Sequence, residues 1–324
     1  MIGRIFDEFQ SLSASATYED FKAIRLSSIR EDFLVKGPQG EPIFLLNDSS
    51  PPRYVVGRIL KHIKAEFHVT CSVQVDHDTV SGQFAMISCD AQSPDLHEIF
   101  LRCVGASIDV LPPVCNTEAL ENVMTELLEI FRVLSEPSAC DISGFWAELW
   151  VVANSSNIPA ALELWHSDVY DRYDFSSPAV FIEVKSTTQN FRIHDFSLEQ
   201  LNPPENGNGF IVSIMLQRLS GGVGILDLVE SIEATLYAHP HLRKKLWAVV
   251  TKTLGSDFSE TVDKRFDAAF AARNLNVYSM ADIPSLGPVS DLRISKVRFS
   301  VDLSSVDSSL NGSTGGSLAD CFPP

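Results

Sequence analysis

Positive charge is scarce in this sequence. Its 25 lysines and arginines stand against 42 aspartates and glutamates, for a formal net charge of −17. Affinity for nucleic acid comes largely from neutralising phosphates with Lys and Arg, so the chain as a whole is a poor binder of polyanions. Either its basic residues gather on one face, or a partner supplies the grip, or nucleic acid is not the target. Long hydrophobic runs are missing as well. Nowhere do the ~18 consecutive apolar residues of a membrane span occur, and the start MIGRIFDEFQ has no long apolar run after a basic head. The six cysteines, Cys71, Cys89, Cys103, Cys115, Cys140 and Cys321, form no Cys-x-x-Cys pair, which argues against zinc and against a secreted disulfide framework. A reducing, cytoplasmic compartment and no membrane partner are expected.

Apolar residues, by contrast, are plentiful. With 324 residues and 45% hydrophobic content the chain can bury a large core in two or three domains. Tyr18 to Leu26 reads as a short helix. Phe33-Leu34-Val35, Ile43 to Leu46, Tyr54-Val55-Val56, Phe67 to Val75 and Gln83 to Cys89 read as short extended runs separated by Pro, Gly, Asn or Asp, hence a small antiparallel sheet. Asp95 to Val104 and Thr117 to Leu134 carry apolar residues three and four apart and predict amphipathic helices. The expected domains are an N-terminal scaffold or recognition module over 1–136, a core over 137–255, an extension with strands over 256–303, and a Ser/Gly-rich disordered tail over 304–324.

The chemistry gathers between residues 141 and 201. In Ala179 to Thr187, Val180, Ile182 and Val184 alternate with Phe181, Glu183 and Lys185, the period of a strand, so Glu183 and Lys185 point to one side. Charge on a strand buried under helices needs partners, and a divalent cation or a third acid would serve. Asp174 precedes Glu183 by a Phe-Ser-Ser-Pro connection that suits a turn, with Pro178 unable to donate to a ladder. A helix over about Ile142 to Ala153, capped by Asp141, places Glu148 inside the stripe of Phe145, Leu149 and Val152. Glu148 there is either a ligand or half of an ion pair. Ser197 is placed to cap a short helix with Gln200 at its third position. Gly209 to Leu219 reads as a doubly buried strand parallel to the Glu183 strand. Gly221-Gly222-Val223-Gly224 lacks the Gly-Lys-Ser/Thr ending of a phosphate loop and reads as a flexible turn. His194 reads as a surface or linker histidine, and Asp168 and Asp171 as solvated acids. Arg243-Lys244-Lys245, the one dense basic group, is either a solvated helix face or a phosphate contact. Val297 to Leu303 is a well-marked strand.

Asp174 followed by Glu183-Val184-Lys185 resembles the active-site signature of the PD-(D/E)XK nuclease superfamily, with Tyr173 where the superfamily name has Pro. Gly144 to Leu149, Asp174-Phe175, Val184 to Thr187, Ser197 to Leu201 and Leu226 to Val229 are similar to one uncharacterised family of that superfamily, whose members accompany helicase-like ATPases and methyltransferases in bacterial defence gene clusters. The resemblance implies an α/β (α+β) restriction-endonuclease-like core of order αβββαβ, a mixed sheet flanked by helices, behind the β-rich N-terminal domain. It implies a Mg²⁺-dependent DNA endonuclease, Mn²⁺ also serving, that leaves a 5′-phosphate and a 3′-hydroxyl. In that reading Asp174, Glu183, the Val184 carbonyl and Glu148 hold the metal. Lys185 orients the attacking water, and Gln200 is either a polar contact to the reacting phosphate or only a capping residue. The implied partners are DNA and a helicase/ATPase or methyltransferase of the same system, with a homodimer left open. The competing expectation is a non-catalytic nuclease-fold subunit that binds DNA or a helicase partner.

Overall fold

Period-two alternation with small turns between runs dictates a strand-rich first third, and in the computed structural model these strands close on themselves. The structure describes residues 5–136, 141–166, 171–204, 207–257, 264–286, 293 and 296–307. The chain divides into two units, one comprising Met1–Ser138 with Arg243–Asp257 and the other Ala139–Leu242 with Phe258–Pro324.

In the first unit a helix α1 (Ile5–Ser11) precedes strands β1 (Asp20–Arg25), β2 (Phe33–Lys36), β3 (Pro42–Asn47), β4 (Arg58–Ile59), β5 (Ile63–Val75) and β6 (Asp78–Cys89). The sheet order is β1-β2-β3-β6-β5-β4, and β1 also pairs with β5, in parallel, so five strands form a closed barrel. Closure leaves no open edge among those five. A bulge between Glu66 and Val69, with His68 at φ 55°, bends β5 so that it pairs with β6 along its length and with β1 at Asp20↔Ser72. Residues two apart line the interior: Phe33 and Val35, Ile43 and Leu45, Cys71 and Val73, Phe84 and Met86. The alternate residues Leu34, Phe44, Ala85 and Ile87 are buried too. Helices α2 (His97–Ile108) and α3 (Thr117–Val133) explain this, since Phe44 packs on Phe100 (5.6 Å between rings) and Phe100 on Phe131 (6.0 Å).

Two expectations for this half fail. Tyr18 to Leu26 is not helical but holds β1, because Phe21 and Ala23, two apart, supply a barrel face and pairing on both sides overrides local propensity. Tyr54-Val55-Val56 joins no strand, and Tyr54 is almost fully exposed.

In the second unit α4 (Ile142–Ala153) and α5 (Ile158–Leu164) lead into β7 (Phe175–Ser176), β8 (Val180–Thr187), β9 (Ile193–Ser197), β10 (Asn208–Met215), β11 (Arg218–Val223) and α6 (Ile225–Glu233). Helix α7 (Pro240–Leu254) follows in sequence, with Arg243–Leu254 counted in the first unit, and β12 (Leu275–Ser279) and β13 (Arg298–Asp302) belong again to the second. The central sheet runs β12-β10-β8-β7. It is mixed: β8 and β10 are parallel, with Glu183 beside Ile211 and Lys185 beside Ser213, and the outer pairs are antiparallel. The mixed α/β class expected from the sequence stands. β9 pairs with β13, and this ribbon packs over Ile211 and Tyr278 of the sheet through Phe196, Val301 and Leu303.

The helix expected at Ser197 does not form. Ser197 ends β9 opposite Arg298, residues 198–201 are turns, and Pro203-Pro204 follow too soon for a helix to grow. Gly221-Gly222-Val223 is no flexible turn either, since it lies in β11. There the Phe266 backbone comes so near that a Cβ on Gly222 would sit 2.3 Å from its carbonyl oxygen, so glycine answers a close approach. Of the expected tail, Leu303–Ser305 forms a 3₁₀ turn, and residues 308–324 lie outside the described residues.

One buried ion pair ties the barrel together. The Arg30 guanidinium donates to both Asp32 oxygens (2.6 and 2.9 Å), to Pro112 O and to Cys115 Sγ, and the Asn47 N–H donates to Asp32. Removing one partner strands the other charge away from water. Asp32→Ala should therefore lower stability by about 3–5 kcal/mol, read as a fall in the urea midpoint, whereas the double change Arg30→Met/Asp32→Leu should recover most of it. An unchanged midpoint for Asp32→Ala would mean that solvent reaches Arg30.

Candidate active site

Each acid reaches the site on a different element, and local chemistry fixes each element. Asp141 caps α4 through Ser143 N–H (3.1 Å), and the residues Phe145, Leu149 and Val152 bury one stripe of the helix. Glu148 lies in that stripe with 16% of its side chain exposed. Asn157 caps α5, with Pro159 in its first turn, and the helix ends at Trp165. Trp165 then bridges to Phe175, and His166 N–H donates to Asp174 O (2.8 Å). These backbone contacts bring Trp165 Nε1–H (3.0 Å) and the His166 ring nitrogen Nε2 (3.1 Å) onto the same oxygen of Glu148, Oε2.

The hairpin supplies the rest. Ser177 N–H closes the turn on Val180 O (2.8 Å), and Phe175 pairs with Ile182, which sets Asp174 one step along, opposite Glu183. The Val184 N–H donates to Asp174 Oδ2 at 2.6 Å. Glu183, 5% exposed, accepts on Oε1 from Lys185 Nζ (2.8 Å) and from Gln200 Nε2 (2.5 Å). Lys185 also lies over the Phe196 ring, 5.5 Å from its centroid. Gln200 makes the capping-pair contacts, its side-chain Oε1 accepting from Ser197 N–H (3.0 Å) and its backbone N–H donating to Ser197 Oγ (3.3 Å), while its side-chain amide donates to Glu183.

The acids repel one another. Desolvation pushes the Asp174 carboxyl well above the ordinary carboxylate range, Glu183 and Glu148 push it further, and the Val184 N–H and Lys185 pull it back only in part. Desolvation also raises Glu183, against the pull of Lys185. Such a set calls for positive charge. Among the described residues Glu148, His166 and Asp174 each offer a ligand atom, all within 4.8 Å of one another. Two carboxylate oxygens and an imidazole nitrogen at that spacing fit a divalent ion. Glu183 stands beside this trio, with one oxygen already occupied by Lys185 and Gln200.

All five side chains singled out from the sequence, Asp174, Glu183, Lys185, Glu148 and Gln200, therefore belong to one connected set with Val184 in its backbone. His166 was not among them. Its proximity depends on the Trp165 to Phe175 bridge, which no periodicity reveals, and its position eight residues before Asp174 was the only available hint. His194 is buried in β9, not on the surface, and shares a hydrogen bond with Ser213 Oγ (2.8 Å). Asp171 is exposed, as expected, and Asp168 lies outside the described residues.

The family model described as "Putative PD-(D/E)XK family member, (DUF4420)" matches residues 5–304 of the chain. No curated protein and no solved structure matches it.

Burial, then Lys185 and Arg192, push the His194 imidazole from 6.5 down to about 4, against the pull of Asp195. Between those two pH values the unfolded chain takes up a proton that the folded chain refuses, so stability falls as pH drops through the window. Relative to His194→Gln, the wild type should lose about 3 kcal/mol between pH 7 and pH 4. Urea titrations of both chains at several pH values measure this, and parallel curves would contradict it.

Proposed function

Because this chain belongs to a PD-(D/E)XK family that spans nearly its whole length, we propose that it is a metal-dependent endodeoxyribonuclease, hydrolysing phosphodiester bonds in a bacterial restriction or anti-phage defence system. The observation that carries this reading is the convergence of Asp174, Glu183-Lys185 and Glu148, from the two arms of a hairpin and a helix, in one largely buried cluster. A purely structural role does not need three acids set against one another.

The carboxylates of Asp174, Glu148 and Glu183, with the Val184 carbonyl that the family pattern adds, would hold Mg²⁺, or Mn²⁺ in its place. When bound, the ion supplies positive charge to a phosphate oxygen and makes water more acidic. The chain's own groups do the rest. The Val184 N–H, the Trp165 indole and the Gln200 amide each fix one carboxylate oxygen, so the acids keep their aim without being neutralised. Lys185, held at Glu183, orients the attacking water and meets the charge that develops on the phosphate. No helix among the described residues is long and apolar enough to cross a membrane.

A second reading has its own support in the charge distribution. The basic group Arg243-Lys244, one candidate for phosphate contact, is taken up by Asp109 and Glu126. Arg132 is held by Glu129 and Glu136. A chain of net charge −17 with its cations so engaged fits a subunit whose grip on DNA comes from a helicase/ATPase or methyltransferase partner, whether or not it cuts.

Asp174→Ala, Glu183→Ala and Lys185→Ala should each lower Mg²⁺- or Mn²⁺-dependent cleavage of DNA by on the order of 10³-fold or more, with circular dichroism unchanged. The assay is run on DNA and on RNA, with and without the neighbouring gene products. Wild-type rates in any of the three variants would count against the assignment, and cleavage of neither substrate in any mixture would favour the non-catalytic subunit.

A further inference from the structure

We infer that His166 is a ligand of the metal ion, adding a nitrogen donor to the carboxylates of Glu148 and Asp174. The inference rests on the metal-site reading above and goes beyond it, since that reading draws its ligands from oxygen alone.

Three observations carry it. First, His166 is held in place by its backbone: the Trp165 to Phe175 bridge and its own N–H on Asp174 O leave it no freedom to slide along the hairpin. Second, the ring lies in the pocket, its side chain only 15% exposed and Nε2 3.1 Å from Glu148 Oε2. Third, the ring nitrogen is within 4.8 Å of ligand atoms on both Glu148 and Asp174, acids that come from different elements. An imidazole that served only as an ion-pair partner for Glu148 would have no need to lie within reach of Asp174 as well. Glu148 already has a second donor in the Trp165 indole, which would go on orienting it if the ring turned toward an ion.

A nitrogen donor has a consequence for the choice of ion. Mg²⁺ demands near-ideal octahedral geometry with oxygen ligands and gives up water reluctantly, whereas the first-row transition ions take an imidazole more readily, Mn²⁺ the least of that series but still more than Mg²⁺. The pocket should therefore discriminate for Mn²⁺ over Mg²⁺, and His166 should be the cause.

The test is electron spin-echo spectroscopy of Mn²⁺ bound to the full-length chain, together with Mn²⁺ titration in competition with Mg²⁺. The expected result is a ¹⁴N coupling to the bound ion in the wild type, its retention in His194→Gln, and its loss in His166→Asn and His166→Ala. Mn²⁺ affinity should fall by at least about tenfold in those two variants, and Mg²⁺ affinity by less. If both variants misfold, wild type labelled with ¹⁵N-histidine decides: a ¹⁴N coupling replaced by a ¹⁵N coupling supports an imidazole ligand, and an unchanged ¹⁴N coupling overturns it. Bound Mn²⁺ without a nitrogen coupling, or with one that survives His166→Asn, would overturn this inference and leave the carboxylate site standing. An absence of saturable Mn²⁺ binding to the wild type would overturn both.

Discussion

Repulsion between carboxylates is the constraint around which the second unit is built. At an effective dielectric of ~20, two like charges about 5 Å apart cost about 3 kcal/mol, and here Asp174 feels both Glu183 and Glu148. The fold holds them together by giving each acid a donor that cannot leave. Asp174 has a backbone N–H of the strand it faces, Glu148 an indole fixed by the end of α5, and Glu183 a lysine two residues along the same strand and an amide from the turn after β9. Three of these donors are neutral. They orient the carboxylates without cancelling them, and the residual negative potential would favour a cation there.

How much of this the sequence disclosed depends on the range of the interaction. Helix α4 was legible to its ends, since the Asp141 cap and the Phe145, Leu149, Val152 stripe lie within twelve residues of one another. The β7 to β8 hairpin was legible too, because Ser177 and Pro178 mark a turn between Asp174 and an alternating strand. Longer-range pairing was not. β1 carries a weak local preference and becomes a strand only because β2 and β5 flank it, and the parallel β1 to β5 contact that closes the barrel joins residues some fifty positions apart. Ser197 failed differently. Its hydrogen bonds with Gln200 form as a capping pair should, but on a turn instead of a helix, and the same glutamine is thereby left facing Glu183.

The charge balance bears on function in a way that a count of lysines and arginines conceals. Arg30 is spent on Asp32 inside the barrel, Arg265 on Asp227 beside α6, and Arg192 on the carbonyls of Ser213 and Asn274. The two buried ones, Arg30 and Arg192, organise the fold and are lost to phosphate recognition, while Arg265 pairs at the surface. The deficit for a polyanion is thus deeper than −17 implies. A cation at the acidic cluster would offset it only locally, which is the physical argument behind the proposal that any grip on DNA comes from a partner.

The layer around Lys185 shows how an amine can be kept among acids without being absorbed into the core. Ser213 on β10 stands beside Lys185 in the parallel register, and its hydroxyl takes both the Arg192 guanidinium (2.9 Å) and the His194 ring (2.8 Å). That face of the sheet is covered by the β9 to β13 ribbon, through Phe196 and Val301 on Ile211 and Tyr278. With Arg192 positive and His194 held neutral by burial and by its cationic neighbours, nothing under the amine competes with Glu183 for it. Lys185 is left with one anionic partner on its own strand and an aromatic ring, Phe196, facing its ammonium group. A lysine held at one acid and still partly exposed keeps N–H groups that would be available to a phosphate, which is why the proposed role falls to it and not to the buried Arg192.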